Sequence, residues 1–239
     1  MLKDFIYVQS EAFIKTAKMF KHLPILILHF IAYDLIYTLA VAILSLLPFN
    51  TGFIGGLILY MIKGMIFSHL LYTLDSIVNS NRIYYKYLKE GFFRYLSPAI
   101  SAFFMYYIIE LILRLIIGTN KNLMVLLLLN ILIFLIFSAV AECIYIAKAY
   151  RYDSIFMGVN IIFENPLNWT LVHLVIYGLG YYLGLSPNIF QVFPGVLNMS
   201  NIYFMLLSTL FLSVYMVYKG NLFKLIYNSS MRKRQYMRQ

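Results

Sequence analysis

Charge is scarce in this chain, and negative charge scarcest: 9 Asp and Glu stand among 239 residues, and charged residues of all kinds make up 12%. Soluble domains carry about 25% charged residues, so a water-soluble globule is excluded. The few carboxylates are too scattered to pair for hydrolytic or phosphoryl-transfer chemistry, and no dinucleotide fingerprint, phosphate-binding loop or zinc-protease motif occurs. Neither an enzyme nor a cofactor is expected. The single cysteine, Cys143, rules out a disulfide within the chain and reads as a packing residue. With only 6 prolines, long segments are free to be helical.

What is present is apolar: 62% hydrophobic residues, a mean hydropathy of +0.81, 22 Tyr and 20 Phe. A helical crossing needs about 20 apolar residues. Runs of that kind predict spans over 25–47, 55–78, 98–117, 123–147, 167–185 and 196–218. The fold class expected is therefore all-α, a polytopic membrane bundle of about six helices in one transmembrane domain over 1–239. The A-x-A pattern at Ala40-Val41-Ala42 does not read as a signal cleavage site, because the apolar run continues to Leu47. Helix-breaking clusters at Pro48-Phe49-Asn50-Thr51-Gly52, Gly118-Thr119-Asn120 and Ser186-Pro187-Asn188 mark outer turns.

Positive charge has a place. The net charge of +10 would point to nucleic acid in a soluble protein, but here the basic residues collect in alternate connections. They lie in the N-terminal segment (Lys3, Lys15, Lys18, Lys21), at Arg82, Lys86, Lys89 and Arg94, at Lys148 and Arg151, and in the tail (Lys219, Lys224, Arg232, Lys233, Arg234, Arg238). Residues 48–54 and 185–195 have none, and 118–122 has Lys121 alone. The positive-inside rule puts both termini in the cytoplasm of a bacterial cell and the three short turns outside. Anionic lipid headgroups, not nucleic acid, are the expected partners.

Pro24, Pro98 and Pro166 are separated by 74 and 68 residues, and each ends a polar-faced segment and opens a span. Proline suits such a corner because it fits the first helical turn and biases its predecessor away from helix. A threefold repeat is predicted, each unit an interfacial helix, a proline and a two-span hairpin, with the interfacial helices near 2–22, 82–96 and 153–165. In the first, Ile6, Phe13, Ala17 and Phe20 share a face and Glu11, Lys15, Lys18 and His22 take another. In the second, Tyr84, Leu88, Phe92 and Tyr95 oppose Arg82, Lys86, Lys89 and Arg94, the set expected to meet lipid headgroups. The third carries a thin polar stripe of Asp153, Asn160 and Glu164, so it is expected to pack on protein, with Asp153 or Ser154 as its cap.

Charges inside spans are costly and so are the first functional candidates. Asp34, Lys63 and Glu110 fall near mid-membrane, with Arg114 one turn beyond Glu110. They are expected either to line a substrate or ion path or to form a structural ion pair. A second level, His29, His69, His173 and Glu142, lies nearer the cytoplasm and has the chemistry for proton relay or for a metal ion that the sequence does not specify. Gly180 and Gly184 have the spacing of a helix-packing face.

The stretch Leu74-Asp75-Ser76-Ile77, leading into Tyr87-Leu88-Lys89-Glu90-Gly91-Phe92 and Tyr95-Leu96-Ser97-Pro98, carries a further pattern, repeated in part at Tyr152-Asp153-Ser154-Ile155 and Glu164-Asn165-Pro166. It resembles the bacterial six-span integral membrane proteins related to the membrane domain found on some glycerophosphodiester phosphodiesterases. The resemblance implies an all-helical fold and a lipid-related or accessory role. No phosphodiesterase domain accompanies it here, and it transfers no functional residues. The functions left are a transporter, channel or permease subunit for a solute or lipid, relying on a partner ATPase or other membrane subunit for energy, or a non-catalytic scaffold for envelope biogenesis. Topology is directly testable in a Cys143→Ser background. Cysteines at positions 51, 119 and 190 should be labelled from outside, those at 10, 90 and 235 only after permeabilisation, and outside labelling at 90 would overturn the six-span order.

Overall fold

The computed structural model describes residues 2–46, 53–83, 88–117, 123–182, 202–227 and 229. The outer turns at 48–52, 118–120 and 186–188, Gly184, Tyr84, Lys86 and the tail beyond 229 lie outside the described residues. Helices succeed one another as α1 (Leu2–Lys18), α2 (Leu23–Ser45), α3 (Phe53–Ser80), α4 (Leu88–Arg94), α5 (Leu96–Ile117), α6 (Leu123–Phe137), α7 (Val140–Tyr145), α8 (Asp153–Glu164), a π-helix (Pro166–Leu171) continuing into α9 (Val172–Tyr182), and α10 (Ile202–Tyr227). No strand occurs among the described residues. Five helical stretches among them are long and apolar enough to cross a membrane: Phe20–Ser45, Gly55–Ser80, Leu96–Leu113, Leu127–Tyr145 and Met205–Tyr227. The chain is an all-α, multi-pass membrane helix bundle.

The order of short helix, proline and long helices recurs three times, with Pro24 in the first turn of α2, Pro98 in the first turn of α5 and Pro166 opening the π-helix. Several boundaries differ from the hydropathy reading: Arg82 and Ile83 lie outside any helix, so the second short helix is Leu88–Arg94, and the span expected over 123–147 is divided into α6 and α7. The last helix runs to Tyr227, nine residues past the expected end at 218, so Lys219 and Lys224 belong to α10 and not to a basic tail. The segment expected to span 167–185 is described to Tyr182 and begins as a π-helix.

Burial is uneven. In α10 72% of the most apolar window is buried, against 22% in α2 and in α5, so α10 is the axis of the bundle. Apolar side chains of the sparsely buried helices, among them Leu35, Leu39, Ile43, Phe104, Leu111 and Leu115, are exposed, as lipid-facing positions must be. The core gathers Phe67, Leu70, Leu71 and Leu74 from α3, Ala99 and Phe103 from α5, Phe134 and Phe137 from α6, and Leu212 and Met216 from α10.

The short helices cover this core from one end. On α1 the positions Ile6, Phe13 and Ala17 are exposed, as is Phe20 in the 3-10 turn Phe20–His22 that follows, which leaves an apolar face toward lipid. Its buried face is polar instead: Asp4, Gln9 and Thr16 join Val8 and Ala12 against α10 and the π-helix. Gln9 Nε2 donates to the Asn168 carbonyl at 3.0 Å, Asn168 Nδ2 to Asp4 Oδ2 at 3.1 Å and Asn221 Nδ2 to Thr16 Oγ1 at 3.2 Å, while the Tyr218 hydroxyl donates to Gln9. A buried amide or carboxylate without a partner costs about 1–3 kcal/mol or more, so these bonds fix where α1 crosses α10.

Helix α4 sits on α3 through Ser68, whose hydroxyl donates to the Gly91 carbonyl at 2.7 Å and accepts from the Tyr95 amide at 2.9 Å. Arg82, Lys89 and Arg94 are exposed, and the Arg94 guanidinium lies 5.5 Å from the Tyr72 ring. In α8 the stripe Asp153, Asn160 and Glu164 is exposed and Ser154, Ile155, Gly158 and Ile161 are buried, so the helix packs on protein as expected. Its cap differs: the capping residue is Tyr152, without a side-chain bond, because the turn at Arg151 starts the helix earlier. Asp153 thereby falls in the first turn, where a carboxylate suits the helix dipole.

The glycines differ in what an added side chain would meet. Nothing lies within 4 Å of a Cβ built on Gly178, whereas one on Gly220 would collide with the Tyr145 hydroxyl and come within 2.9 Å of Val78. Gly220→Ala should therefore destabilise the protein by about 1–3 kcal/mol, in the range of overpacked cores. Gly178→Ala should leave the melting temperature unchanged or raised. Equal melting temperatures for the two variants would refute this packing.

Candidate functional site

Two irregularities in the long helices meet beside α10. The span of α6 and α7 is interrupted at Ser138-Ala139, where the Ser138 amide and hydroxyl both bond the Leu135 carbonyl, at 3.1 and 2.8 Å. Opposite, Pro166–Leu171 is wound as a π-helix, a form that recurs at functional sites. Trp169 joins them: its indole N–H donates to Ser138 Oγ at 2.9 Å, and its fully buried ring stacks on His173 at 4.2 Å.

Directly beyond the interruption stands Glu142, and Lys219 of α10 meets it with Nζ 3.2 Å from Oε2; both side chains are 0% exposed. An isolated charge of either sign could not persist there, since moving one from water to a low-dielectric interior costs several kcal/mol even after relaxation. The pair is surrounded by groups of mixed character. Tyr215 lies with its ring 5.8 Å from Lys219 Nζ and 5.7 Å from the His173 ring, and the charges of the pair act on His173, Tyr145 and Cys143. His173 Nδ1 stands 2.7 Å from the Trp169 carbonyl. A carbonyl can only accept, so Nδ1 carries the proton and Nε2 is left with its lone pair.

The cluster is rich in unused hydrogen-bonding capacity. Among the described residues, Glu142 Oε1, the Tyr145 hydroxyl and His173 Nε2 are buried without a hydrogen-bond partner, while Glu142 Oε2 and Lys219 Nζ have each other. Charge neutralisation joins Glu142 to Lys219, but it leaves donors and acceptors of both kinds turned toward one another's neighbourhood. Such an arrangement can take up water, a proton or a small polar ligand.

The residues singled out from the sequence distribute over three places. Glu110 of α5 acts electrostatically on Lys63 of α3, whose ammonium is 5.5 Å from the Phe103 ring. Glu110 also lines an open cleft of about 430 Å³ with Tyr107, Leu111 and Leu115. Asp34 is buried on the neighbouring α2, and Arg114 lies one turn past Glu110 on α5. The histidine level divides. His29 and His69 come together at 5.4 Å, with the Tyr33 hydroxyl bonded to His69 and Phe92 stacked on it at 4.4 Å. His173 and Glu142 instead share Lys219 as a neighbour. Among the described residues no three His, Cys, Asp or Glu side chains gather as metal ligands, so the metal reading of this level fails. Equal depth along different helices did not bring equal azimuth.

Lys219, Tyr145 and Tyr215 escaped the sequence reading. A signal was present: Leu212, Tyr215, Lys219, Leu222 and Ile226 follow steps of three and four, the stripe of one helix face, and all five are buried. Fold and site together define a multi-pass α-helical membrane protein with a charged core closed off from the surface. The chain matches no family model, no curated protein and no solved structure.

The pair makes a thermodynamic prediction. Lys219→Met and Glu142→Leu should each lower stability by about 3–5 kcal/mol, because each strands the opposite charge, and the double variant should recover most of the loss. Thermal unfolding in detergent reads both. Single variants as stable as the parent would show that the two side chains are not charged together.

Proposed function

We propose that the protein is a membrane carrier or permease subunit, and that Glu142 and Lys219 form its ion-responsive centre. The observation carrying this reading is the fully buried pair set between an interrupted helix and a π-helix, with unbonded polar atoms around it. Charged groups within spans are retained mainly where they serve substrate or proton paths. Interrupted helices at such depth are tolerated where protein covers them or where they line a cavity, as in secondary transporters.

The chemistry follows from the pair. A proton arriving on Glu142 cancels the carboxylate and leaves the Lys219 ammonium without its counter-charge, so proton uptake favours loss of the lysine proton or entry of an anion. His173 Nε2, with its lone pair free, is a base beside the same ammonium. Lys63 and Glu110 supply a second charged level, opening on the cleft at Tyr107 and Leu111. The chain carries no nucleotide motif, so any ATP chemistry would belong to a partner subunit.

A scaffold role in envelope biogenesis is the second reading, and a specific observation favours it: α1 and the 3-10 turn after it keep Ile6, Phe13 and Phe20 exposed along with Lys18 and Lys21. It also fits the lipid-related role that the resemblance to the phosphodiesterase-associated membrane proteins implies.

Proteoliposomes holding the full chain and an internal pH-sensitive dye separate the two. After an imposed pH step, the parent should equilibrate protons faster than the stable Glu142→Leu/Lys219→Met variant. Identical rates for parent, variant and empty vesicles would overturn the transport reading in favour of the scaffold. Loss of flux in Lys63→Met/Glu110→Leu with none in the inner double variant would move the centre to the other charged level.

A further inference from the structure

A second polar feature lies apart from the charged core, where the loop before α8 meets the start of α5. Leu96, Ser97, Ile100, Ser101, Arg151 and Tyr152 line a cleft of about 410 Å³, within the roughly 300–1,000 Å³ of small-ligand sites. Among the described residues its lining offers one guanidinium and three hydroxyls, and no carboxylate. We propose that this cleft binds the phosphoryl headgroup of an anionic phospholipid, with Arg151 as its charged ligand and Ser97 and Ser101 as hydroxyl donors.

Three observations support the assignment. Arg151 is held in place: its backbone adopts φ 48°, a conformation rare outside glycine, and its carbonyl accepts from Ser154 Oγ at 2.7 Å. Its guanidinium is steered over the Tyr150 ring at 4.9 Å, and Ser97 and Arg151 together hold the Tyr150 hydroxyl below the usual phenol range. Serine and arginine thus act on one hydroxyl and line the same cleft. The nearest acidic residue in sequence, Asp153, is exposed on α8 and is not part of the lining. Lys148, the other cation of this loop, is committed elsewhere, to Asp75 at 3.0 Å.

The surroundings favour a lipid over a free anion. One turn on from Ile100 stands Phe104, and one turn on from Tyr152 stands Phe156, exposed by 49% and 67%. Each lies one helical turn from a lining residue and is exposed, as contact with an acyl chain requires. A bare phosphate would fill a fraction of the volume and leave that apolar margin wet.

Native mass spectrometry of the full chain, purified with phosphatidylglycerol or phosphatidylcholine, tests the proposal. Phosphatidylglycerol should be retained in preference, and Arg151→Gln should reduce that retention about tenfold, as loss of one charge-assisted bidentate contact implies. Ser97→Ala/Ser101→Ala, which keeps every charge, should weaken it by less. Equal retention of the two lipids, or undiminished retention by both the Arg151 and serine variants, would overturn the site. Displacement of the lipid by millimolar inorganic phosphate would overturn the headgroup assignment in favour of a free-anion site.

Discussion

The contact between Glu142 and Lys219 constrains everything built around it. A lysine at 0% exposure in an apolar bundle demands a counter-charge in contact with it. That demand fixes α7 against α10, and α10 is the element on which α1, α2 and α3 also pack. Gly220, directly after the lysine, lets the Tyr145 hydroxyl and Val78 pack against α10. Charge and shape therefore set the register of α10 at adjacent positions. The interaction limits as well as stabilises, since apolar replacement of a buried pair is often neutral or favourable. Its presence is better explained by specificity or function than by net stability.

Why two helices depart from α-geometry beside this pair has a local answer. Interrupting a helix frees carbonyl and amide groups, and in a membrane each must find a partner within the protein. Ser138 satisfies the Leu135 carbonyl from within the interruption and receives the Trp169 indole from outside it. The π-helix in turn presents Asn168 to Asp4 and Gln9 of α1. The polar face of α1 is thus the complement of the irregular backbone below it. That is why Asp4 and Gln9 are buried while Ile6 and Phe13 remain outside.

Much of this fold was legible in the sequence, because hydrophobic length and proline position are one-dimensional signals. The end of α3 fell within two residues of the expected 78, and α8 took the expected residues with the expected polar stripe exposed. What failed did so for a shared reason. Lys219 was read as the start of a basic tail because hydropathy counts its charge, whereas the stripe through Leu212, Tyr215, Leu222 and Ile226 continues past it. Likewise, His29, His69, His173 and Glu142 were grouped by depth, and depth leaves rotation about each helix axis undetermined. Lys63 and Glu110 do come within reach of each other, since α3 and α5 are neighbours.

The buried pair and the surface loop are ends of one connected structure. Tyr145, three residues after Glu142, sends its hydroxyl toward Gly220 of α10 and offers its carbonyl to Lys148 Nζ at 2.6 Å. Lys148 also bonds Asp75 of α3 and the Tyr95 hydroxyl, at 3.0 and 2.8 Å, and Tyr95 immediately precedes α5. A movement of α7 that separated Glu142 from Lys219 would therefore pull on Lys148 and, through Tyr95, on the first turn of α5. That turn carries Ser97 beside Arg151. The charged core and the cleft at the start of α5 are thus joined by one short helix and one lysine.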